Sequence, residues 1–244
     1  MSAIQNLVEY YDELFPVTES QKKFYDELIK EYGSPVKFLN VNCGTGMFEN
    51  FLARSGHDVT GLEDSPELIY CANLRRRNQL MSVRFFEMSY IDMTKFLGKG
   101  FYNVISCLND RIIYVHDKTL LKKFFYDCNY LLSEGGSFII ALPNFAKDKS
   151  VPMITLPVRE SIRARLFSEV WKSTDGSSFI VQNVETGNGK MLPVQKDCPI
   201  YTLMPEEIEL FAKEAGFSSV KFYSDFNKNS FTGNEESLVA RIYK

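Results

Sequence analysis

The stretch VKFLNVNCGTG, residues 36–46, decides how the rest of the chain is interpreted. It joins a short apolar run, a turn containing Gly44 and Gly46, and the start of a segment with helical periodicity. A glycine turn between a strand and a helix directs backbone N–H groups and the positive end of the helix dipole at a ligand. The stretch therefore predicts a first strand that leads into a cofactor-binding loop.

Strand-like and helix-like segments alternate after this loop, which predicts an α/β fold with a doubly wound, mostly parallel sheet. Two further apolar runs lie at the carboxyl end of the sequence and are joined by a loop too short for a parallel crossover. We therefore expect a seven-stranded sheet whose C-terminal strand pair is antiparallel. The predicted strands are 36–41, 58–63, 83–88, 102–108, 137–143, 219–226 and 236–244.

The segment between the fifth strand and the C-terminal pair interrupts the alternation. It contains turn signals at Asp175-Gly176 and at Gly187-Asn188-Gly189, which are typical of antiparallel hairpins. We interpret the chain as a single domain, 1–244, with an inserted β lid at 146–204. Residues 1–34 form a helical N-terminal cap, the first of its helices at 4–15, and 35–145 with 205–244 form the core.

Composition excludes several classes of function. A net charge of -3 argues against a broadly basic nucleic-acid surface. The five cysteines form no C-x-x-C pair and there are two histidines, so we expect neither a disulfide framework nor a metal site. No signal peptide or membrane-spanning run is visible, and we expect a cytoplasmic protein without a membrane partner.

An acid near the end of the second strand can accept hydrogen bonds from both hydroxyls of a ribose. Glu63 lies there, and its strand-end position predicts a side chain in a cleft with little packing. A dinucleotide cofactor would favour a third glycine at the position of Glu49, whose carboxylate would also repel a pyrophosphate. An NAD-dependent oxidoreductase is therefore disfavoured.

These segments together resemble the class I S-adenosylmethionine-dependent methyltransferases. The first motif of that family reads acid-x-Gly-x-Gly-x-Gly, and the present loop keeps Cys43, Gly44, Thr45 and Gly46 in register. HDVTGLEDSPELIYCA (57–72), FYNVISCLND (101–110) and LLSEGGSFIIALPN (131–144) resemble the second, fourth-strand and fifth-strand motifs. The order of the motifs is that of the family, and the resemblance covers nearly the whole chain.

The resemblance implies S-adenosylmethionine as the cofactor and a small molecule as the methyl acceptor, with transfer to nitrogen or oxygen. Glu63 is implied to hold the ribose, and the N-terminal helix is implied to close over the cofactor. The implied cofactor-binding residues are Tyr11, Asn40, Asn42, Cys43, Gly44, Thr45, Gly46, Glu63, Asp64, Ser65, Met88, Ser89, Tyr90, Leu108 and Asn109.

The chain departs from the family pattern at four positions. Asn40 replaces the acid at the methionine amino end, and Asn42 replaces the first glycine. Ser89 and Asn103 each stand where relatives often carry Asp. Asn and Ser still accept hydrogen bonds, so we expect weaker cofactor binding rather than none. The departures keep open an alternative, a degenerate relative that binds a cofactor or a partner without catalysis.

Candidates for the acceptor side follow the fourth strand or lie in the lid. Asp110 and Arg111 should face the reactive methyl group, and Trp171 either lines the lid or packs it. His116 is a weak candidate for a general base, against a bland alternative as a surface or helix-capping residue. The run 75–77 ends a helix, where positive charge favours the dipole, and predicts a solvated face.

Overall fold

The main sheet of the protein has seven strands. A computed structural model describes residues 4–77, 82–147 and 150–244. The strands of the main sheet are β1 (Lys37–Val41), β2 (Asp58–Glu63), β3 (Val83–Glu87), β4 (Tyr102–Cys107), β5 (Leu132–Pro143), β11 (Ser219–Tyr223) and β12 (Ser237–Tyr243). Their order across the sheet is β11-β12-β5-β4-β1-β2-β3.

The pairing within this sheet is parallel except at one edge. β1 pairs parallel with β2 and with β4, β2 pairs parallel with β3, and β4 pairs parallel with β5. β12 runs antiparallel to both β5 and β11. The predicted mostly parallel sheet with an antiparallel C-terminal pair is therefore confirmed. Parallel strands covered on both faces are rich in apolar residues, and Phe38, Leu39, Val104 and Ile105 are all buried here.

The helices lie between the strands and at the N-terminus. They are α1 (Gln5–Val8), α2 (Tyr11–Leu14), α3 (Glu19–Tyr32), α4 (Met47–Arg54), α5 (Pro66–Arg77), α6 (Met93–Phe96), α7 (Lys118–Leu131) and α8 (Pro205–Glu214). The single first helix expected over 4–15 is wrong, because the chain breaks at Tyr10 into α1 and α2. Leu7, Tyr11 and Leu14, on both sides of the break, are buried.

The fifth strand begins earlier than the sequence predicts. The SEGG stretch at 133–136, expected as a turn before the strand, lies inside β5. Gly135 has a positive φ of 72°, a conformation that glycine adopts without steric cost, and the pairing of β4 with β5 shifts register at this point. The glycines therefore form an irregularity within the strand.

A second, antiparallel sheet lies between β5 and α8 in the sequence. It consists of β6 (Met153–Thr155), β7 (Arg159–Glu160), β8 (Ala164–Lys172), β9 (Ser178–Thr186) and β10 (Met191–Ile200), with the order β10-β9-β8-β6 and with β7 also paired to β8. The turns between β8, β9 and β10 fall at the two predicted turn signals. One face packs on the 3-10 helix Arg111–Tyr114, which follows β4.

The second sheet thereby lies over the carboxyl edge of the main sheet. The Tyr201 N–H donates to the carbonyl of Ile113 at 2.7 Å, and the Tyr114 hydroxyl donates to Gln182 Oε1 at 3.0 Å. The carboxyl edge of an open α/β sheet is where such folds bind ligands. Within the described ranges, no helix combines the length and the apolar character that crossing a bilayer requires.

Candidate functional site

The loop after β1 has the conformation that its glycines predict. Gly44 has a φ of 62°, and Gly46 has a φ of 72° and forms the N-cap of α4. Asn42 also lies in the left-handed region, with a φ of 58°, which asparagine tolerates better than most residues. A Cβ on Gly44 would collide with the ring of Tyr11. The loop therefore needs glycine at this point both for its backbone and for a close approach.

Glu63 is the most connected side chain of the loop region. Its Oε2 accepts a hydrogen bond from the Gly44 N–H at 2.8 Å, and its Oε1 accepts from the N–H groups of Asp64 and Ser65, each at 3.1 Å. Arg111 Nη2 lies 3.4 Å from Oε1. The side chain is fully buried. The expected cleft position with little packing is thus wrong, because Arg111 and Tyr11 cover the end of β2.

Burial and the attraction between opposite charges act against each other in this pair, and for Glu63 burial prevails, so that the net pKa of its carboxyl is raised. Burial raises the pKa of the Glu63 carboxyl, whereas Arg111 and the backbone N–H groups oppose that effect. Burial lowers the pKa of the Arg111 guanidinium, but the neighbouring acidic groups, Glu63 foremost among them, together outweigh it, and the net pKa is raised. Arg111 Nε is buried and has no hydrogen-bond partner within the described chain. The guanidinium therefore depends on Glu63 for its compensation.

Asn40 and Glu49 form a second buried polar pair beneath the loop. Asn40 Nδ2 donates to Glu49 Oε1 at 2.7 Å. Asn40 Oδ1, Glu49 Oε2 and the hydroxyl of Tyr11 are buried and have no partner among the described residues. A buried polar atom without a partner costs about 1–3 kcal/mol. Three such atoms line one narrow cavity of about 30 Å³, which also borders Cys43.

The residues at this edge fit S-adenosylmethionine. The glycine loop permits a close approach of the cofactor to the backbone. The unpartnered atoms of the narrow cavity can bind its polar groups, and Glu63 carries acceptor oxygens at the end of β2. Tyr11 fills part of the same space, so the cofactor requires this ring to move. Met88 and Ser89 follow the adjoining strand β3: the Met88 N–H donates to the Glu63 carbonyl at 3.0 Å.

The structure brings nearly all predicted cofactor residues to one edge of the sheet. Ser65 caps α5 through a 3.3 Å hydrogen bond from the Leu68 N–H. Thr45 bonds to Asp12 of α2, and Arg75 pairs with the same carboxylate. Arg75 is largely buried against these partners, so the predicted solvated face at 75–77 is wrong for Arg75; the side chain of Arg77 lies outside the described residues. The predicted cofactor residues that line the narrow cavity are Tyr11, Asn40, Asn42, Cys43, Thr45, Leu108 and Asn109.

A larger cavity of about 310 Å³ adjoins the narrow one. Phe15 and Asn109 line both cavities, so the two spaces meet at the carboxyl end of β4. Predicted acceptor residues Asp110 and Arg111 also line the larger cavity. Its remaining walls come from α1, the 3-10 helix, the end of β5, the second sheet with its connecting segments and the loop before β12. Among the lining residues are Leu7, Tyr114, Pro143, Leu156, Val158, Arg159, Ser168, Ile180, Gln182, Gln195 and Glu236.

Two predicted candidates lie away from these cavities. Trp171 is 39% exposed on β8 and its indole N–H donates to Glu169, so it lies at the surface of the lid and does not line the cavity. His116 is exposed and borders a different surface depression, next to Asp117, whose side chain caps α7. His116 is thus separated from the edge where the two cavities meet, and it matches the alternative interpretation as a surface residue.

Several residues of the site were missed by sequence reasoning. Glu49 was used only to exclude a dinucleotide, and Asp12, Tyr114 and Gln182 were not singled out. The single available signal was a carboxylate on the first turn of the helix after a glycine loop, a position near the positive end of the dipole.

Among the described residues, no three His, Cys, Asp or Glu side chains are grouped as a metal ion would require.

Comparison with known sequences finds a family match that includes the loop after β1. Residues 38–136 match the family described as "Methyltransferase domain". A protein of Geobacillus sp. (strain WCH70) that carries a methyltransferase name is 25% identical over 136 residues, 54% of each chain. A ubiquinone biosynthesis O-methyltransferase of Xanthomonas oryzae pv. oryzae (strain PXO99A) is 27% identical over 108 residues, 44% of this chain and 43% of that protein. The alignments thus span about half the length of these curated relatives.

Comparison with solved structures supports the fold over the whole chain. The CcbJ methyltransferase from Streptomyces caelestis superposes with a TM-score of 0.79 and covers 99% of this chain and 97% of its own. The sequence identity is 17%, so this likeness concerns the fold alone.

Proposed function

We propose that this chain is a class I S-adenosylmethionine-dependent methyltransferase and that it transfers the methyl group of that cofactor to a nitrogen or oxygen of a small-molecule acceptor. The observation that carries the proposal is the junction of the two cavities at Asn109. A methyl group presented there from the narrow cavity would face the larger one. The acceptor would occupy the larger cavity.

The cofactor would lie along the ends of β1, β2 and β4. Glu63 would accept hydrogen bonds from the ribose hydroxyls in place of Arg111, and the N–H groups of the glycine loop would face the cofactor. Met88, Ser89 and Tyr90 would border the adenine, and Asn40 with its neighbours would meet the methionine end. Tyr11 would move off Gly44 and close over the bound cofactor.

Alignment and exclusion of water would supply most of the catalysis. The cofactor, when bound, supplies a methyl group on a sulfonium. The group that leaves is the neutral thioether S-adenosylhomocysteine, which needs no acid. The chain would hold the acceptor's lone pair in line with that methyl group, and in-line positioning can supply several kcal/mol of rate enhancement. The apolar walls from Leu7, Leu156 and Ile180 would exclude water from the reacting atoms.

The size and chemistry of the larger cavity favour a small acceptor. About 310 Å³ lies in the usual range for small-molecule sites, which are mostly apolar with a few polar groups. The cavity contains both carboxylate and guanidinium groups, so it would suit an acceptor with polar groups of either sign. The O-methyltransferase name of the Xanthomonas relative is consistent with oxygen as the target.

The five cysteines are free, which supports a reducing compartment such as the cytoplasm.

The proposal is tested by separating cofactor binding from turnover. Calorimetry should detect S-adenosylmethionine and S-adenosylhomocysteine but not NAD. A screen of amines, hydroxy acids, phenols and amino sugars with methyl-tritiated cofactor should then label a small molecule. Ser168→Phe, which fills the larger cavity, should abolish labelling and leave S-adenosylhomocysteine affinity within twofold.

Thr155→Phe is the matched control, because Thr155 lies exposed on the same sheet outside the cavity. It should change neither binding nor labelling. Labelling of protein or nucleic acid in place of a small molecule, or full activity of the Ser168 variant, would show that the larger cavity is not the acceptor site.

A further inference from the structure

Glu49 is a buried carboxylate that the proposed function does not use. It lies on the first turn of α4, is 2% exposed, and is held by the 2.7 Å hydrogen bond from Asn40 Nδ2 to its Oε1. Its second oxygen, Oε2, has no partner among the described residues. Charges are seldom buried without a partner, so the half-satisfied carboxylate indicates a missing cationic group.

The neighbouring unpartnered atoms have the acceptor chemistry that an ammonium group needs. Asn40 Oδ1 is likewise buried and without a partner in the described chain. Asn40 and Glu49 both line the narrow cavity, on the side of the glycine loop. Ammonium carries three donors and no acceptor, so two buried acceptor oxygens on adjoining side chains match it.

We infer that Glu49, oriented by Asn40, binds the α-ammonium group of S-adenosylmethionine. The inference rests on the proposed cofactor site and assigns its methionine end. The acid of the family's first motif, which Asn40 has replaced, is thereby relocated from β1 to the first turn of α4. The Asn40 amide keeps two roles: its Nδ2 fixes Glu49, and its Oδ1 contributes the second acceptor.

The charged groups around Glu49 do not fully compensate a negative charge on its carboxylate, so a cation can bind there. Burial raises the pKa of Glu49 to about 7, against the hydrogen bond from Asn40 and the charge of Arg75. Glu63 acts in the same direction as burial. The titratable or charged groups that act on Glu49, or that it acts on, from the packed elements are Tyr11 of α2, Tyr25 of α3, Cys43 of the loop, Glu63 of β2 and Arg75 of α5.

The inference is tested with two ligands that differ in the methionine end. S-adenosylhomocysteine carries the amino-acid group, whereas 5′-methylthioadenosine has the same nucleoside without it. Glu49→Gln should weaken S-adenosylhomocysteine binding by roughly tenfold to a hundredfold, as one charged partner is lost, and change methylthioadenosine binding by less than about twofold. Equal weakening of both ligands, or of neither, would overturn the inference.

Two further variants separate this inference from the proposed function. Glu63→Gln should weaken both ligands, because both contain the ribose. The double variant Asn40→Asp/Glu49→Gln returns a carboxylate to β1 and should recover at least half of the lost affinity on a logarithmic scale. No recovery would show that Glu49 acts through loop structure and not through charge. If neither ligand binds the unaltered protein, the proposed cofactor site fails, and the subsite fails with it.

The unaltered protein provides an independent arm that does not depend on folding of a variant. The affinity for S-adenosylhomocysteine divided by the affinity for methylthioadenosine should fall by up to tenfold per pH unit as the pH drops from 7.5 to 5.5, because Glu49 becomes protonated. Acidification keeps the ligand's ammonium protonated, and titration of Glu63 affects both ligands, so neither produces this fall. A ratio independent of pH would contradict the inference.

Discussion

The cofactor cleft, which is the narrow cavity with the loop around it, differs in construction from the acceptor cavity, which is the larger cavity proposed to hold the acceptor. The cofactor cleft is narrow, about 30 Å³, and contains buried charges with unpartnered polar atoms. The acceptor cavity is about 310 Å³, and its polar groups mostly have partners: Asp110 pairs with Arg159, and Gln182 bonds to Tyr114 and to Ser168. The first region is poised for a ligand of fixed chemistry, whereas the second is a preformed space.

The difference shows which region the protein's stability depends on. The buried charges of Glu63, at the cofactor loop, and of Arg111, which reaches it from the wall of the larger cavity, compensate each other, so a change at either one affects the fold as well as the ligand. The ion pair of Asp110 with Arg159 in the acceptor cavity is partly exposed, and water can replace a lost partner there. Substitutions in the cleft should therefore have large effects on stability, and those around the cavity small ones.

The largest effect is expected for Glu63→Gln. The substitution leaves the Arg111 guanidinium without its buried partner, and breaking such a pair from one side costs about 3 kcal/mol. We expect urea denaturation to show a loss of this size, in addition to weaker ribose binding. The double variant Glu63→Gln/Arg111→Met removes both charges and should regain at least half of the lost stability. Equal stability of Glu63→Gln and the unaltered protein would remove the contrast between the two regions.

The fold and the cofactor loop could be predicted from the sequence because their determinants are local. The apolar runs, the loop glycines and the strand-end acid Glu63 lie within short stretches, and each follows from backbone geometry. The antiparallel pairing of β11 with β12 followed from loop length alone. These are features for which neighbouring residues decide the structure.

The remaining features could not be predicted because they depend on residues distant in sequence. Arg111 reaches Glu63 across 48 positions, and Tyr114 reaches Gln182 across 68. The pairing of Asn40 with Glu49 spans only nine residues but crosses from a strand to a helix, so no periodicity relates the two. The break between α1 and α2 likewise depends on where Tyr11 packs.

A second, opposite effect is expected for Glu49→Gln in the absence of ligand. The pKa of Glu49 is raised to about 7 in the folded state, so its contribution to stability is lost as the pH rises through that value. At pH 8 the variant, which has no charge to bury, should be about 2–3 kcal/mol more stable than the unaltered protein. The difference in urea denaturation should shrink as the pH falls toward 5. A destabilised variant at pH 8 would show that the carboxylate is well compensated without a ligand.

A smaller effect is expected for Asp110→Asn at the acceptor cavity. The change breaks the ion pair with Arg159 at 2.6 Å but retains the left-handed backbone at Asp110, which asparagine tolerates. Both side chains are about a quarter to a third exposed, so screening limits the loss to about 0.5 kcal/mol. Calorimetry should show a melting temperature lower by about 1–2 °C and unchanged S-adenosylhomocysteine affinity. Once an acceptor is known, its KM should rise more than kcat falls. A loss of cofactor affinity would mean that the two regions are not separable.

The smallest effect is expected for His116→Ala, which tests whether the reacting edge contains all the chemistry. His116 is exposed and shares no cavity with Asn109, where the two spaces meet. Its loss should change stability by less than about 0.5 kcal/mol, as surface substitutions do. Methyl transfer should keep its kcat and the shape of its pH–rate profile, because a base must lie within hydrogen-bond reach of the proton that it removes. The neighbouring Asp117→Ala is the informative control: it should lower stability by about 1 kcal/mol through loss of the cap of α7, and it should also leave the pH–rate profile unchanged. A hundredfold fall in kcat for His116→Ala alone, with loss of the acid limb of the profile, would place a proton-transfer group outside the cavity and require the second sheet to move during the reaction.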